Sequence, residues 1–332
     1  MEELQIAEPV HEFSGRDIPP SSAPLSEQEK AALKTAVVEL EYPGFIARIS
    51  DFVATPIELG LKVLPDKFRD AITDVSRYAI EKALNVSLFT MNTDFDAQAT
   101  PQASSDWWHK GAVAVTGSVG GFLGFASLPV EVPLSSMIIL RSIADIARSE
   151  GEDLGTAQAR LECVSVFALG GASDKDDDAE LGYFLAREAM ATMIARTTSY
   201  YEAQVAKQLA EKAAKAAVGK AAKAAAQAAL KEAAAAASKL QSTTLVKFMD
   251  TVASRYSIVV SESAMAKAGP VIGAALGGVV NTLFISHFQA IARAHFMVRR
   301  LERTHGQPAI QAAYAQLAED VRGERKQRKR PV

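Results

Sequence analysis

Glu131 is the only charged residue between Lys110 and Arg141, and it sits between Pro129 and Pro133. A carboxylate in that setting has two uses. Close to a helix N-terminus it meets free amides and the positive end of the helix dipole. Buried, it has a shifted pKa and serves as an acid/base or a cation ligand. The two prolines predict a break in the chain, with Pro133 opening the helix that follows. On that helix Arg141, Asp145, Arg148 and Glu152 recur at steps of four, three and four. They form one polar stripe on an otherwise apolar helix. Arg141 either pairs with Asp145 at the surface or turns inward to Glu131 or Glu162, because a buried charge requires a partner.

His287 and His295 invite comparison with a metal site. Eight residues place them about 12 Å apart along a helix and roughly 80° apart in direction, too far to ligate one ion together. His295 and Arg299, at i and i+4, share a helix face suited to an anion or a lipid headgroup. The chain has no HExxH and no paired Glu-x-x-His element, so no metal centre and no cofactor is expected. Counting an EF-hand from Asp174 puts Ala179 where glycine belongs and Leu185 where glutamate belongs. Gly117-Ser118-Val119-Gly120-Gly121 lacks the Lys-Ser/Thr sequel of a P-loop, and no strand precedes it. No nucleophile elbow is present. Cys163, the one cysteine, excludes an internal disulfide and lies in an apolar run that reads as inert core.

The elements that must position these residues are helical. The 332 residues are 48% hydrophobic and 23% charged, with 36 bases against 39 acids and a net charge of −3. That is ample for a core, and it argues against a dedicated nucleic-acid binder. Residues 1–25 hold four prolines among acids and serines and read as a flexible acidic arm. Ser26 and Glu29 form a capping box whose helix should run to about Glu41, before Pro43. Pro65 opens an amphipathic helix expected to end near Asn85. No stretch shows period-two alternation between turns, so the fold is all-α: a single multi-helix, bundle-like domain over 26–320. Within it, 203–240 is compositionally distinct, with 19 alanines and 7 lysines in 38 residues. It predicts one long inserted helix, weakest at Gly219. Residues 321–332 form a basic tail.

Two segments are apolar and rich in glycine. Gly111–Val130 contains no charge, and Ala268–Phe288 contains none if His287 is neutral. Gly117, Gly121 and Gly124 in the first, and Gly273 and Gly277 in the second, include pairs four residues apart that let helix backbones approach closely. About twenty apolar residues also suffice to cross a bilayer. The segments are therefore either buried central helices packed through their glycine faces or a hairpin that inserts into a membrane. The apolar helices and the basic tail together suit anionic lipid.

Beyond these patterns lie longer ordered motifs. Gly121-Phe-Leu-Gly124, Leu128-Pro129-Val130-Glu131-Val132-Pro133-Leu134, Arg141-Ser-Ile143-Ala-Asp145, Arg160-Leu161-Glu162-Cys163 and Val166 to Gly171 resemble the EcsC protein family. So does the later block Pro270 to Ala274, Asn281, His287-Phe288, His295-Phe296 and Arg299-Arg300-Leu301-Glu302. The likeness spans roughly Pro65 to Glu302, interrupted by the alanine–lysine stretch, with Glu131 where the family's element has aspartate. It implies a helical fold, bacterial origin and a link to membranes. The family takes its name from an ABC transporter system and carries no defined activity. A transporter component is thus the implied partner, and the implied place is cytoplasmic, peripheral or integral at the inner membrane. The leading expectation is a membrane-associated accessory protein in transport or lipid handling. A hydrolase built on Glu131 and Arg141, and a soluble scaffold, are the alternatives.

Overall fold

The computed structural model describes residues 24–42, 45, 65–90, 127–170, 182–216, 218–239, 243–267 and 273–328. Among these there are nine helices and no strand. They are α1 (Glu27–Glu41), α2 (Asp66–Thr90), α3 (Leu128–Ser149), α4 (Ala157–Leu169), α5 (Gly182–Ala216), α6 (Lys220–Lys239), α7 (Thr243–Lys267), α8 (Gly273–His305) and α9 (Gln307–Arg328). The protein is all-α. The acidic arm up to residue 23, the glycines at 117, 121 and 124, and the Asp174–Asp178 run lie outside the described residues.

Local chemistry sets the helix ends. Ser26 Oγ accepts from the Glu29 amide at 3.3 Å while the Glu29 carboxylate accepts from the Ser26 amide at 2.8 Å. This is the expected capping box, and α1 ends at Glu41. α2 starts one residue after Pro65, whose carbonyl accepts from Phe68 and Arg69, and runs five residues past Asn85. α3 departs further from expectation. It continues straight through Pro133 instead of breaking there. Proline removes a single hydrogen bond in the second turn, and the carbonyl left without its amide belongs to exposed Pro129. Nine buried residues downstream hold the helix in place despite that loss.

α4 is the axis of the bundle. All of its residues except Gln158 are buried, and α2, α3, α5, α7 and α8 pack around it. A helix that is apolar all round belongs in a core. Phe167 meets Tyr256 of α7 and Phe288 of α8 edge-on or tilted, at 4.9 and 5.2 Å between ring centres.

The alanine–lysine stretch is not one helix. It splits at Gly219, where φ is +95°, into the end of α5 and the whole of α6. A Cβ there would meet nothing within 4 Å, so glycine is required by the left-handed backbone alone. The two helices fold back on each other, with half-buried Ala203, Ala210 and Ala214 of α5 and Ala226, Leu230 and Ala234 of α6 forming the seam. The substantial contacts of α6 are with α5. The rest of it faces solvent.

Gly170 closes α4 with an ordinary helical φ of −80°. Its lack of a side chain serves close approach: an added Cβ would lie 2.8 Å from a Phe288 ring carbon and 2.9 Å from His287 Nε2. Gly170→Ala is therefore expected to cost about 1–3 kcal/mol through overpacking. Urea denaturation of the variant checks this, and an unchanged midpoint would mean that the α4–α8 contact is looser than described.

Candidate functional site

The buried charges converge where α3, α4, α5 and α8 meet. Glu162, at the middle of α4, accepts from Arg299 Nη1 of α8 at 3.0 Å. Arg299 gives its other two nitrogens, Nε and Nη2, to the Glu152 carboxylate at 2.8 and 3.1 Å. Arg303, one turn along α8, also bonds Glu152, and its Nη2 donates to the Glu150 carbonyl. On the other side Arg187 of α5 grips Glu302 with two parallel bonds of 2.8 and 2.6 Å. Bidentate guanidinium–carboxylate pairs of this geometry are the strong kind.

His295 joins the cluster through both ring nitrogens. Nε2 lies 3.6 Å from Glu162 Oε2, and Nδ1 is 2.9 Å from the Tyr183 hydroxyl. Burial lowers the pKa of His295, and Arg187 and Arg299 add to the effect, against the pull of Glu162. Neutral imidazole with its proton on Nε2 suits both neighbours, since Nδ1 then accepts from the phenol. Burial pushes the Tyr183 hydroxyl up to about 12. For Glu162, burial alone would raise the carboxyl, but Arg299 and His295 outweigh it and hold it at about 2. The Glu152 carboxyl is likewise lowered, with Arg299 and Arg303 outweighing burial.

The turn after α3 delivers Glu152 to this place. Gly151, with φ +84°, donates to the Arg148 carbonyl, and the Glu152 amide reaches back to Ala147. That is a Schellman cap, and it swings Glu152 off the helix. The expected Arg141–Asp145–Arg148–Glu152 stripe is thereby divided. Arg141 is exposed and among the described residues pairs with none of Asp145, Glu131 and Glu162. Asp145 turns to Arg148 at 3.4 Å. Of the residues singled out in the sequence, Glu152, Glu162, His295 and Arg299 come together. His287 is elsewhere, bonded through Nε2 to the Gly170 carbonyl at 2.8 Å.

Glu131 occupies a second polar location. It is buried in the first turns of α3 and accepts from Ser127 Oγ at 3.2 Å. Leu128, Glu131, Val132 and Ser135 of α3, Val260 and Ser263 of α7, and Asn281 and Phe284 of α8 enclose about 10 Å³, room for one water. Arg141 is ten residues further along the same helix, about 15 Å away. The structure thus does not assemble a Glu131–Arg141 pair.

Sequence reasoning missed Tyr183 and Arg187. Their i, i+4 spacing was available, but nothing marked that face of α5 as buried. Glu302 stood inside a quoted motif without a role, and Glu152 was expected on the polar stripe of the helix after Pro133 rather than against Arg299. Among the described residues, no three His, Cys, Asp or Glu side chains cluster closely enough to hold a metal ion.

The sequence that builds this bundle corresponds to a known family. The sequence model of the EcsC protein family matches residues 32–301. The chain belongs to this family. The match takes in α1, which lay outside the expected Pro65–Glu302 extent, and it bridges the alanine–lysine hairpin. No curated protein and no solved structure matches the chain. For this EcsC-family protein, the cluster is a closed set of mutual partners: all three Arg299 nitrogens are spent on carboxylates.

Two outcomes follow. Arg299→Met strands two buried carboxylates and should cost about 3–5 kcal/mol, measured by denaturant unfolding at pH 7. In the wild type, the lowered pKa of Glu162 contributes stability present above about pH 4.5 and lost as pH falls toward about 2. Glu262 of α7 has the opposite sign. Burial lifts its carboxyl to about 8, so the folded state favours the proton and stability declines as pH rises from 4.5 toward 8. Glu262→Gln should therefore be more stable than wild type by at least about 1 kcal/mol at pH 8 and equal to it at pH 4.

Proposed function

We propose that this EcsC-family protein is a membrane-associated accessory protein at the cytoplasmic face of the bacterial inner membrane, serving transport or lipid handling. One observation carries the reading: exposed apolar side chains of α3 and the basic end of α9 lie at one pole of the bundle. The cavity wall joins the start of α3, the end of α7 and the early turns of α8. Leu128 of the first uncharged segment and Asn281 and Phe284 of the second lie in that wall. Val130 is 73% exposed and Leu134 40% exposed on the outer side of α3, directly after the Gly111–Val130 run.

The basic helix end is at the same pole. Phe45 packs against Phe284 of the cavity wall at 5.7 Å, and three residues before it Tyr42 carries the Arg325 guanidinium over its ring at 4.0 Å. What was expected as a separate tail from 321 is helical to Arg328, the last turns of α9. Lys34 pairs with Glu324 and helps hold these turns against α1. Neither a small apolar insertion nor a few bases anchors a protein alone, but the two reinforce each other on anionic lipid. No described helix is long and apolar enough to cross a membrane, so Val130 and Leu134 support contact at shallow depth. An ABC transporter component is the partner that family membership suggests.

Flotation with vesicles tests the reading. The protein should float with anionic vesicles and less with neutral ones. Arg325→Gln with Lys326→Gln and Arg328→Gln should weaken binding and its salt dependence together. Val130→Cys carrying a polarity-sensitive fluorophore should shift to the blue on binding; Cys163 is fully buried and stays unlabelled. A protein that ignores anionic vesicles at low salt overturns the proposal.

A further inference from the structure

The space beside Glu131 has polar walls on three helices. Glu131 and Ser135 of α3, Ser263 of α7 and Asn281 of α8 line it, each at most 6% exposed. Ser135 Oγ has no hydrogen-bond partner among the described residues. Its neighbour Ser136 shows what a buried helical serine ordinarily does. It donates to the Val132 carbonyl, four residues back, at 2.7 Å and also meets the Tyr256 hydroxyl. Ser135 makes no such bond to the Glu131 carbonyl. A buried hydroxyl left unpaired is costly, so the cavity needs an occupant that Ser135 can touch.

The size of the space and the charge of its walls narrow the occupant. It measures about 10 Å³, one water-sized sphere. Its polar lining is one carboxylate, two hydroxyls and one amide, and none of the described residues in the wall is basic. α3 begins here and α7 ends four residues past Ser263, so opposite ends of two helix dipoles meet and offset each other. The carboxylate therefore sets the sign, and it favours a cation. Mg²⁺ keeps its waters and needs more room, and Ca²⁺ takes about six to eight oxygens, commonly from several carboxylates. Transition metals prefer imidazole and thiolate, which the described wall lacks. K⁺ is close to a water molecule in size and exchanges its hydration shell for neutral oxygens. Na⁺ is smaller and would fit the same walls loosely.

We infer that this cavity binds a single dehydrated K⁺ ion, held by the Glu131 carboxylate, the Ser135 and Ser263 hydroxyls and the Asn281 amide oxygen. The ion gives Ser135 the partner it lacks among the described residues and joins α3, α7 and α8 at one point. It acts on the stability of this end of the bundle. The lipid contact proposed for exposed Val130 and Leu134 does not depend on it.

Thermal unfolding of the full chain at constant total salt tests the inference, with choline chloride replaced stepwise by KCl or by NaCl. The melting point should rise by a few degrees in KCl and level off as the site fills. It should rise less in NaCl. Screening of surface charge acts alike in all three salts and cancels in the comparison. Glu131→Gln, which keeps the side chain's shape, and Ser135→Ala should each lose the KCl increment. Glu262→Gln, at a buried carboxyl outside the cavity wall, should keep it. A wild-type melting point that is the same in all three salts overturns the inference, since water alone would then fill the space. So does a Glu131→Gln variant that retains the full K⁺ increment, because the ion would then act elsewhere. An equal rise in NaCl and KCl also overturns it, since the cavity would not be selecting an ion by size.

Discussion

The Glu162–Arg299 ion pair constrains the bundle more than any other contact. Glu162 lies on a helix with no solvent side, so its charge loses water and recovers only what the protein supplies. Arg299 must reach it from α8, and one arginine carries more donors than one carboxylate accepts. A second carboxylate is needed, and Glu152 fills that role only because α3 stops at Ser149 and Gly151 turns the chain in the left-handed region. Three helices are thereby tied to one register. A pair of this kind adds little net stability against an apolar replacement. What it excludes is slippage: moving α8 by one residue rotates Arg299 about 100° away from α4 and strands both carboxylates.

Around that constraint the apolar packing is permissive. α4 is buried on nearly every side, so its apolar contacts alone would let it rotate or slide among its neighbours. Directional ties remove that freedom. Arg187 clasps Glu302, Ser136 meets Tyr256 at 2.7 Å, Gln289 donates to Ser142, and His287 takes the Gly170 carbonyl at a point too close for any side chain. The cluster reads as the polar specification of a helical core. Its histidine is held neutral and its tyrosine protonated, both by burial.

The sequence made the helices legible because their signals are local: a capping box at Ser26, a proline before α2, alanine content for α5 and α6. Where local signals misled, tertiary packing won. Pro133 read as a start and proved to be interior, because nine buried side chains downstream outweigh one missing hydrogen bond. Glu152 read as helical because four-three-four spacing continues through it, and the turn at Gly151 breaks that periodicity. Glu162, His295 and Arg299 could be chosen as chemistry-bearing residues. Tyr183 and Arg187 could not be joined to them, since no spacing rule links residues more than a hundred positions apart. Arg141 and Glu131 show the converse: isolation in sequence marks a residue without saying which way it faces.

Charge is arranged along the bundle in a way the net value of −3 conceals. At one pole, Val130 and Leu134 are exposed on α3, and the basic end of α9 stacks on Tyr42. At the other, a hairpin of net charge +5 over residues 203–239 stands clear of the core where α7 begins, about 30 Å along that helix from Ser263 of the cavity wall. The ion cluster lies at the ends of α3 and α8, away from the cavity, and is neutralised within itself. Separation of this kind matters because screened charges act over about 8 Å in physiological salt, far less than the roughly 30 Å between the poles. The charges of one pole thus act independently of those of the other. The rigid, register-locked core is what keeps those two surfaces apart.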